Sequence, residues 1–394
     1  MKMKLTKYNF DEQTDRRGTD SLKVDLMEER FGRAGLIPLW VADMEFRTPD
    51  FIVDSLRSRC DHSIFGYTFA SSSYFESIIG WLSRRYSLKV RKEWLRYIPG
   101  IVKGIAFVVD CFTQAGDKVI IQPPVYTPFR SIPEMQGRIV IDNPLRMAKG
   151  QYEMDFEHLE RIIDESCKLF ILCSPHNPGG MVWSRETLAR LAEICSRRNI
   201  LIISDEIHAE MTWPGNLHLP FPGVSPEAAA CSVTFMSPSK TFNIAGIVSS
   251  YAIVPNDAIR TRFFSWLQAR ELNQGNIFAY EATKAAYTHG EEWLKQMCDY
   301  VTGNVKYIDE YCRKEIPYVK VYFPQASFLV WLDCRELKLP QSELVSLFRD
   351  KAGLALNDGA MFGAGGEGFM RLNAGCRRSM IEQAMKQLRD AIQL

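Results

Sequence analysis

Five short apolar runs constrain the fold more than any other feature of the chain. They are Lys118-Val119-Ile120-Ile121, Arg138-Ile139-Val140-Ile141, Leu169-Phe170-Ile171-Leu172, Leu201-Ile202-Ile203 and Ser232-Val233-Thr234-Phe235-Met236. Runs this short, without polar alternation, read as strands buried on both faces. Helical stretches such as 184–198 separate most of them. Alternating strand and helix predicts an α/β fold with a large, mainly parallel sheet covered by helices. Helical spacing also marks 51–60 and 72–86. Beyond Asn276 the texture becomes α+β. A long helical stretch (278–311) leads into strand-like runs at 319–323 and 327–331, a helix at 341–351, a strand at 369–373 and a final helix from Ser379. The expected division is an N-terminal arm (1–48) packing with the small domain, a large domain (49–285) and a small C-terminal domain (286–394).

Composition removes several function classes. The 394 residues carry 48 basic and 47 acidic side chains, a net charge of +1. With no basic surplus, nucleic acid is not an expected partner. The 10 cysteines are irregularly spaced with no Cys-x-x-Cys pair, so no metal site is expected, and they read as reduced core residues of a cytoplasmic protein. Met1 to Tyr8 has charge but no apolar stretch, so no signal peptide is expected, and no run approaches a membrane span.

In a doubly wound sheet, ligands bind beyond the carboxyl ends of the strands. Four predicted strands deliver suitable residues there. Ile121 leads to Tyr126, Leu172 to Asn177, Ile203 to Asp205-Glu206-Ile207-His208, and Met236 to Ser237-Pro238-Ser239-Lys240. A lysine just past a strand can be desolvated and its amine held ready to form an imine with an aldehyde. Asp205 offers a carboxylate for a ring nitrogen, Asn177 and His208 offer partners for a phenol oxygen, and Tyr126 offers a ring for stacking. Those are the needs of pyridoxal phosphate, whose protonated pyridine acts as an electron sink. The segment Tyr97-Ile98-Pro99-Gly100-Ile101-Val102-Lys103-Gly104, ahead of a helical run at 105–112, suits its phosphate. Glycine lets the backbone approach an anion, and a helix N-terminus supplies free N–H groups. The Ser237 hydroxyl adds a donor. Each residue also has a plainer use: Asp205 as a helix cap, Asn177-Pro178-Gly179 as a turn, His208 and Tyr126 as packing. The combination is what points to chemistry.

The set resembles the fold-type I pyridoxal-phosphate enzymes of the aspartate aminotransferase superfamily. Within them it is most similar to the MalY/PatB-type cystathionine β-lyases, over nearly the whole chain. The resemblance is carried by Asn9-Phe10-Asp11-Glu12, Asp15-Arg16-Arg17-Gly18-Thr19-Asp20-Ser21-Leu22-Lys23, Leu39-Trp40-Val41-Ala42-Asp43-Met44, Phe65-Gly66-Tyr67, Ser204-Asp205-Glu206-Ile207-His208, Ser239-Lys240-Thr241-Phe242-Asn243-Ile244-Ala245-Gly246 and Met370-Arg371-Leu372-Asn373. It implies that Lys240 binds the cofactor aldehyde and later moves the Cα proton, and that Asp205 pairs with the pyridine nitrogen. Asn177 and His208 would lie near the phenolic oxygen, with Tyr126 on one ring face and Ile207 on the other. Ser237 and the backbone of Ile101 and Val102 would hold the phosphate, joined by Tyr67 from a neighbouring subunit of a homodimer. Arg371 would grip the substrate α-carboxylate, a task suited to its planar fork.

Three positions depart from the pattern. Val248 stands where aminotransferases often place an arginine phosphate ligand, which leaves Lys103 as a candidate for balancing phosphate charge. His208 stands where many have tyrosine. Both departures fit the lyases better. Val24 replaces a tryptophan common in the subfamily, with no interpretation. Trp40 and Phe46 read as core or interface residues.

The activity so implied is carbon–sulfur β-elimination from cystathionine, cysteine or a related cysteine S-conjugate, giving a thiol, pyruvate and ammonia. The alternative is an aminotransferase, which shares the chemistry up to the Cα carbanion. A non-catalytic sensor reading needs an added winged-helix domain, for which the 48 residues of the arm leave no room.

Overall fold

The apolar runs form the central sheet. In the computed structural model, which describes residues 7–148 and 150–393, seven strands build it: β1 (Leu95–Ile98), β2 (Lys118–Ile121), β3 (Ile139–Asp142), β4 (Cys167–Cys173), β5 (Leu201–Asp205), β6 (Ser232–Met236) and β7 (Ser250–Ile253). Their order across the sheet is β1-β7-β6-β5-β4-β2-β3. Pairing is parallel from β3 to β6, whereas β7 runs against both β6 and β1. The five runs are therefore strands, as expected, and β4, β5 and β6 are buried almost end to end.

The sequence reading assigns no strand to β1 or β7. Leu95-Arg96-Tyr97-Ile98 is interrupted by a charge, and Ser250-Tyr251-Ala252-Ile253 has a single β-branched residue. Pairing specifies them instead, with Tyr251 opposite both Tyr97 and Met236. Because β7 enters from the end at which β6 leaves, it brings Val248 and Ser249 to the same edge as Ser237.

The helices include α1 (Asp50–Asp61), α2 (Ser72–Tyr86), α3 (Ile101–Phe112), α4 (Arg185–Arg197), α5 (Ile277–His289), α6 (Glu291–Glu315) and α7 (Arg378–Gln393), the last packed on α6 rather than on the large sheet. Two differ from expectation. Helix α3 starts at Ile101 rather than 105, so Gly104 lies inside it. A Cβ at Gly104 would stand 2.8 Å from the Phe235 ring, so only glycine lets α3 lie this close to β6. The expected single helix at 278–311 is two, broken at Gly290. There a Cβ would fall 2.3 Å from both the Ala286 carbonyl and the Phe242 ring. The break seats the joint of α5 and α6 on an aromatic ring two residues beyond Lys240.

A second sheet, antiparallel, contains β8 (Lys320–Tyr322), β9 (Leu329–Asp333), β10 (Asn357–Asp358) and β11 (Phe369–Asn373) in the order β8-β9-β11-β10. Trp331 on β9 stacks on Phe369 of the same sheet at 4.9 Å and donates to the Tyr152 hydroxyl at 3.1 Å, and it shares a core cluster with Ile120, Phe170 and Ile202 of the large sheet. The arm is tied down as well. Ile37–Pro38 pair with Leu354–Ala355, and Phe10, Leu39, Met44 and Phe46 share a core cluster with Trp81, Trp293 and Phe328. Trp40 and Phe46 are buried packing residues.

Candidate active site

Parallel strands of similar length end at one edge, and here that edge is a cavity of about 370 Å³. Ser237, Ser239 and Lys240 reach it after β6, Asp205 from the last position of β5 with Ile207 and His208 just beyond, Asn177 after β4, and Tyr126 after β2. Ile101 and Val102 open α3 at the same wall, and Ala42 closes the arm side. Lys103 is exposed at the rim. The strand-end residues named from sequence are brought together. Arg371 approaches from β11, donating to the Asn177 side-chain oxygen at 3.0 Å.

The Lys240 amine donates to the Ala42 carbonyl. Burial lowers its pKa to about 8; Asp43 and Asp205 oppose that shift, while Arg371 and Lys23 add to it. A lysine in this state is largely protonated at neutral pH but deprotonates readily, as a nucleophile and proton carrier must.

Asp205 is displaced in the opposite sense. Burial, aided by the Glu206 charge, lifts its carboxyl to about 7, against the Ile207 N–H bond at 3.1 Å and the Lys240 charge. Glu206, which sequence reasoning passed over, is fully buried and anchors this turn. It accepts from Ser204 (2.9 Å) and the Phe221 N–H (2.7 Å), and it lies 2.7 Å from His218 Nε2. Burial and the Lys240 and Arg371 charges bring His208 down to about 3, so its ring is neutral; Nδ1 lies 3.1 Å from the Ser327 hydroxyl. Burial and the Asp205 charge raise the Tyr126 phenol.

At the α3 end, Gly100 has φ +97° and its N–H meets the Ser250 hydroxyl at 3.0 Å. The first N–H groups of a helix have no partner within it, so those of Ile101 and Val102 are free to receive an anion. Ser237 Oγ lies 2.7 Å from Ser239 Oγ and 2.5 Å from the Ser249 carbonyl. Val248 is in the left-handed region at φ +58°, an uncommon setting for a β-branched residue. The Tyr97 hydroxyl holds its carbonyl at 2.8 Å.

Arg371 is buried; it also donates to the Trp40 carbonyl (3.1 Å) and the Asn357 side chain (2.6 Å) and lies over the Phe362 ring at 5.0 Å. Among the described residues no carboxylate pairs with it, and its Nε is buried without a partner. Burial lowers its pKa to about 10. Such a guanidinium is poised for an incoming carboxylate. Tyr67 is elsewhere: it is fully exposed, on a surface shared with Phe65 and 274–278. It does not reach the cavity of its own chain. Cys173, Ser239 and Ala42 line the cavity without having been named as candidates; only Ser239, beside Lys240, carried a signal that could have found it.

These features fit pyridoxal phosphate on three counts: free N–H groups and two serines for a phosphate, a buried carboxyl for a ring nitrogen that among the described residues makes no direct ion pair, and a lysine at the centre.

The family model "Aminotransferase class I and II" matches residues 49–388. Cystathionine beta-lyase PatB of Bacillus subtilis (strain 168) is 42% identical over 98% of this chain and 100% of that protein. The chain belongs to the class I and II aminotransferase family. Two solved family members are also similar. The PLP-bound putative aminotransferase from Clostridium difficile 630 is 40% identical, with a TM-score of 0.95 over 98% of this chain and 100% of that one. The PLP-bound C-S lyase from Staphylococcus hominis is 32% identical, with a TM-score of 0.91 over 98% of each.

Proposed function

We propose that this family member is a pyridoxal-phosphate-dependent carbon–sulfur β-lyase that cleaves cystathionine, cysteine or a related S-conjugate to a thiol, pyruvate and ammonia. The observation that carries the choice of lyase is the 42% identity to a cystathionine beta-lyase along nearly the whole chain. The cavity, with Val248 in place of a phosphate arginine and His208 in place of a tyrosine, agrees with it.

When bound, the cofactor supplies a protonated ring that accepts an electron pair from the substrate. The chain's own residues do the rest. The N–H groups of Ile101 and Val102 and the Ser237 hydroxyl would hold the phosphate. Asp205 would keep the ring nitrogen protonated, because a buried opposite charge favours the charged form. Tyr126 and Ile207 would cover the ring, and Asn177 and His208 would bond its phenolic oxygen. Arg371 holds the substrate carboxylate and so fixes the Cα–H bond toward Lys240, which takes the proton. The Cβ–sulfur bond then breaks and the thiolate leaves with its electron pair.

Three further readings belong to this proposal. The first is the division at 48/49 and 285/286 into arm, large and small domains. The second is a homodimer, supported by the exposed side chains of Ile64, Phe65, Tyr67 and Phe69 in one segment, with Tyr67 reaching the partner's phosphate. The third is the cytoplasm, supported by ten unpaired cysteines. Among the described residues, no helix is long and apolar enough to cross a membrane.

The test is product analysis. Incubation with cystathionine should release pyruvate and a free thiol without added keto acid. Glutamate formed from an amino acid and 2-oxoglutarate, with no pyruvate from cystathionine, would make the chain an aminotransferase. Arg371→Lys keeps the charge but loses the fork. It should raise KM at least about tenfold with a smaller change in kcat; an unchanged KM would remove Arg371 from substrate binding.

A further inference from the structure

Residues 40–46 have no regular pairing, yet most of their carbonyls are claimed from the site. Arg371 donates to Trp40, Asn373 to Val41 and Asp43 at 2.6 Å each, Lys240 to Ala42, and Asn243 to Met44 (2.9 Å) and Phe46 (2.7 Å). One further donor comes from the arm. Lys23 has no solvent exposure, and its ammonium lies 3.1 Å from the Asp43 carbonyl, 2.8 Å from the Glu45 carboxylate and 3.5 Å from the Asp43 carboxylate. Its own carbonyl accepts from the Trp40 indole at 3.0 Å. Arg16 completes the group, bonding Asp43 at 2.7 Å and Glu45 at 3.0 Å. Two cations thus face two carboxylates, one peptide unit from the carbonyl that holds the Lys240 amine.

A buried ammonium costs several kcal/mol to desolvate, and an apolar side chain of similar volume often serves stability as well. Stability alone is therefore a weak reason to bury Lys23 here. We propose that Lys23 is a positioning residue for Lys240: it fixes the carbonyl strip that receives the Lys240 amine and balances the carboxylates beside it.

The inference rests on the role given above to Lys240. An amine that donates one N–H to Ala42 is held in place with its lone pair free for Cα. It takes a proton only when neutral, so its local charge balance sets its working pH. The groups facing it are Asp43 and Lys23 on the arm side, Asp205 and His208 from β5 and the turn beyond, and Arg371 from β11. Asp43 keeps its carboxylate charged despite burial, through Arg16, Lys23 and Lys240. Without Lys23 the arm cluster has a surplus carboxylate, and Lys240 keeps its proton to higher pH.

The test uses Lys23→Met, Glu45→Gln and Lys23→Arg. In cofactor-free protein, the rate at which acetic anhydride acetylates Lys240 is followed against pH by peptide mass spectrometry. Lys23→Met should raise the midpoint by about half a pH unit or more, and Glu45→Gln should lower it. Lys23→Arg should stay close to the parent. The acid limb of kcat in the holoenzyme, which reports groups in the substrate complex, should move in the same directions. A merely structural Lys23 predicts no shift, or shifts of one sign, and either result overturns the proposal. If Lys23→Met does not fold, Glu45→Gln decides: a lowered midpoint supports the proposal and an unchanged one overturns it. The midpoint is read without turnover, so it stands apart from the identity of the reaction.

Discussion

Lys240→Ala should abolish the visible absorption of the lysine-bound cofactor and cut turnover at least about 10⁴-fold. In the proposed mechanism the same amine both binds the aldehyde and moves the Cα proton, and no other described lysine amine lines the cavity except Lys103, exposed at the rim. The fold should survive the change. The loop is held independently by the Ser237–Ser249 bond and by Asn243, which bonds Met44 and Phe46. The loss at the Ala42 carbonyl is one hydrogen bond, about 1 kcal/mol. The checks are an absorbance spectrum after reconstitution and a pyruvate assay, with circular dichroism for the fold. A retained visible band, or activity within tenfold of the parent, would remove Lys240 from its role.

Asp205→Asn should separate stability from function. The carboxyl titrates near pH 7 in the folded chain against about 3.8 unfolded, because burial disfavours its charge. A raised folded pKa means the folded state holds the proton more tightly. This group's contribution is therefore fully present below about pH 4 and is lost as pH rises through 7. Three pH units correspond to about 4 kcal/mol as an upper bound. Cofactor-free parent protein should accordingly lose stability between pH 5.5 and pH 8, and the asparagine variant should lose less. With cofactor the order inverts: the carboxylate gains a cationic ring partner, and its removal should cost at least about 10²-fold in turnover. Urea melts of both apo proteins at the two pH values, with rates on the reconstituted pair, measure this. Parallel melts would show that Asp205 is not strained in the empty cavity.

How much of this was legible in the sequence follows from how each residue reaches the site. Lys240, Asp205, Asn177 and Tyr126 could be found because each follows an apolar strand, and parallel strands bring their carboxyl ends together without further information. Arg371 came only through resemblance, since its strand belongs to the second sheet. Ala42, Asn373 and Lys23 were not assigned roles: they act through backbone carbonyls, which no side-chain pattern marks, across separations of up to 332 residues. The strands β1 and β7 were missed because neighbours rather than their own composition specify them. Gly290 breaks a helix for the sake of an aromatic ring, Phe242, that lies 48 positions earlier.

The carbonyl strip at 40–46 also fixes when the enzyme can mature. Its clamps come from Asn243, from Arg371 and Asn373, and from the Gly375 carbonyl, which accepts the Glu45 N–H. Synthesis proceeds from the other end, so the arm emerges first and waits for partners made almost last. The large sheet can form while the chain is still growing, but the wall against which Lys240 rests cannot. Completion of the site is thus a late event in the life of each molecule, and a stalled or truncated chain lacking the last strand would carry the lysine without the place that holds it.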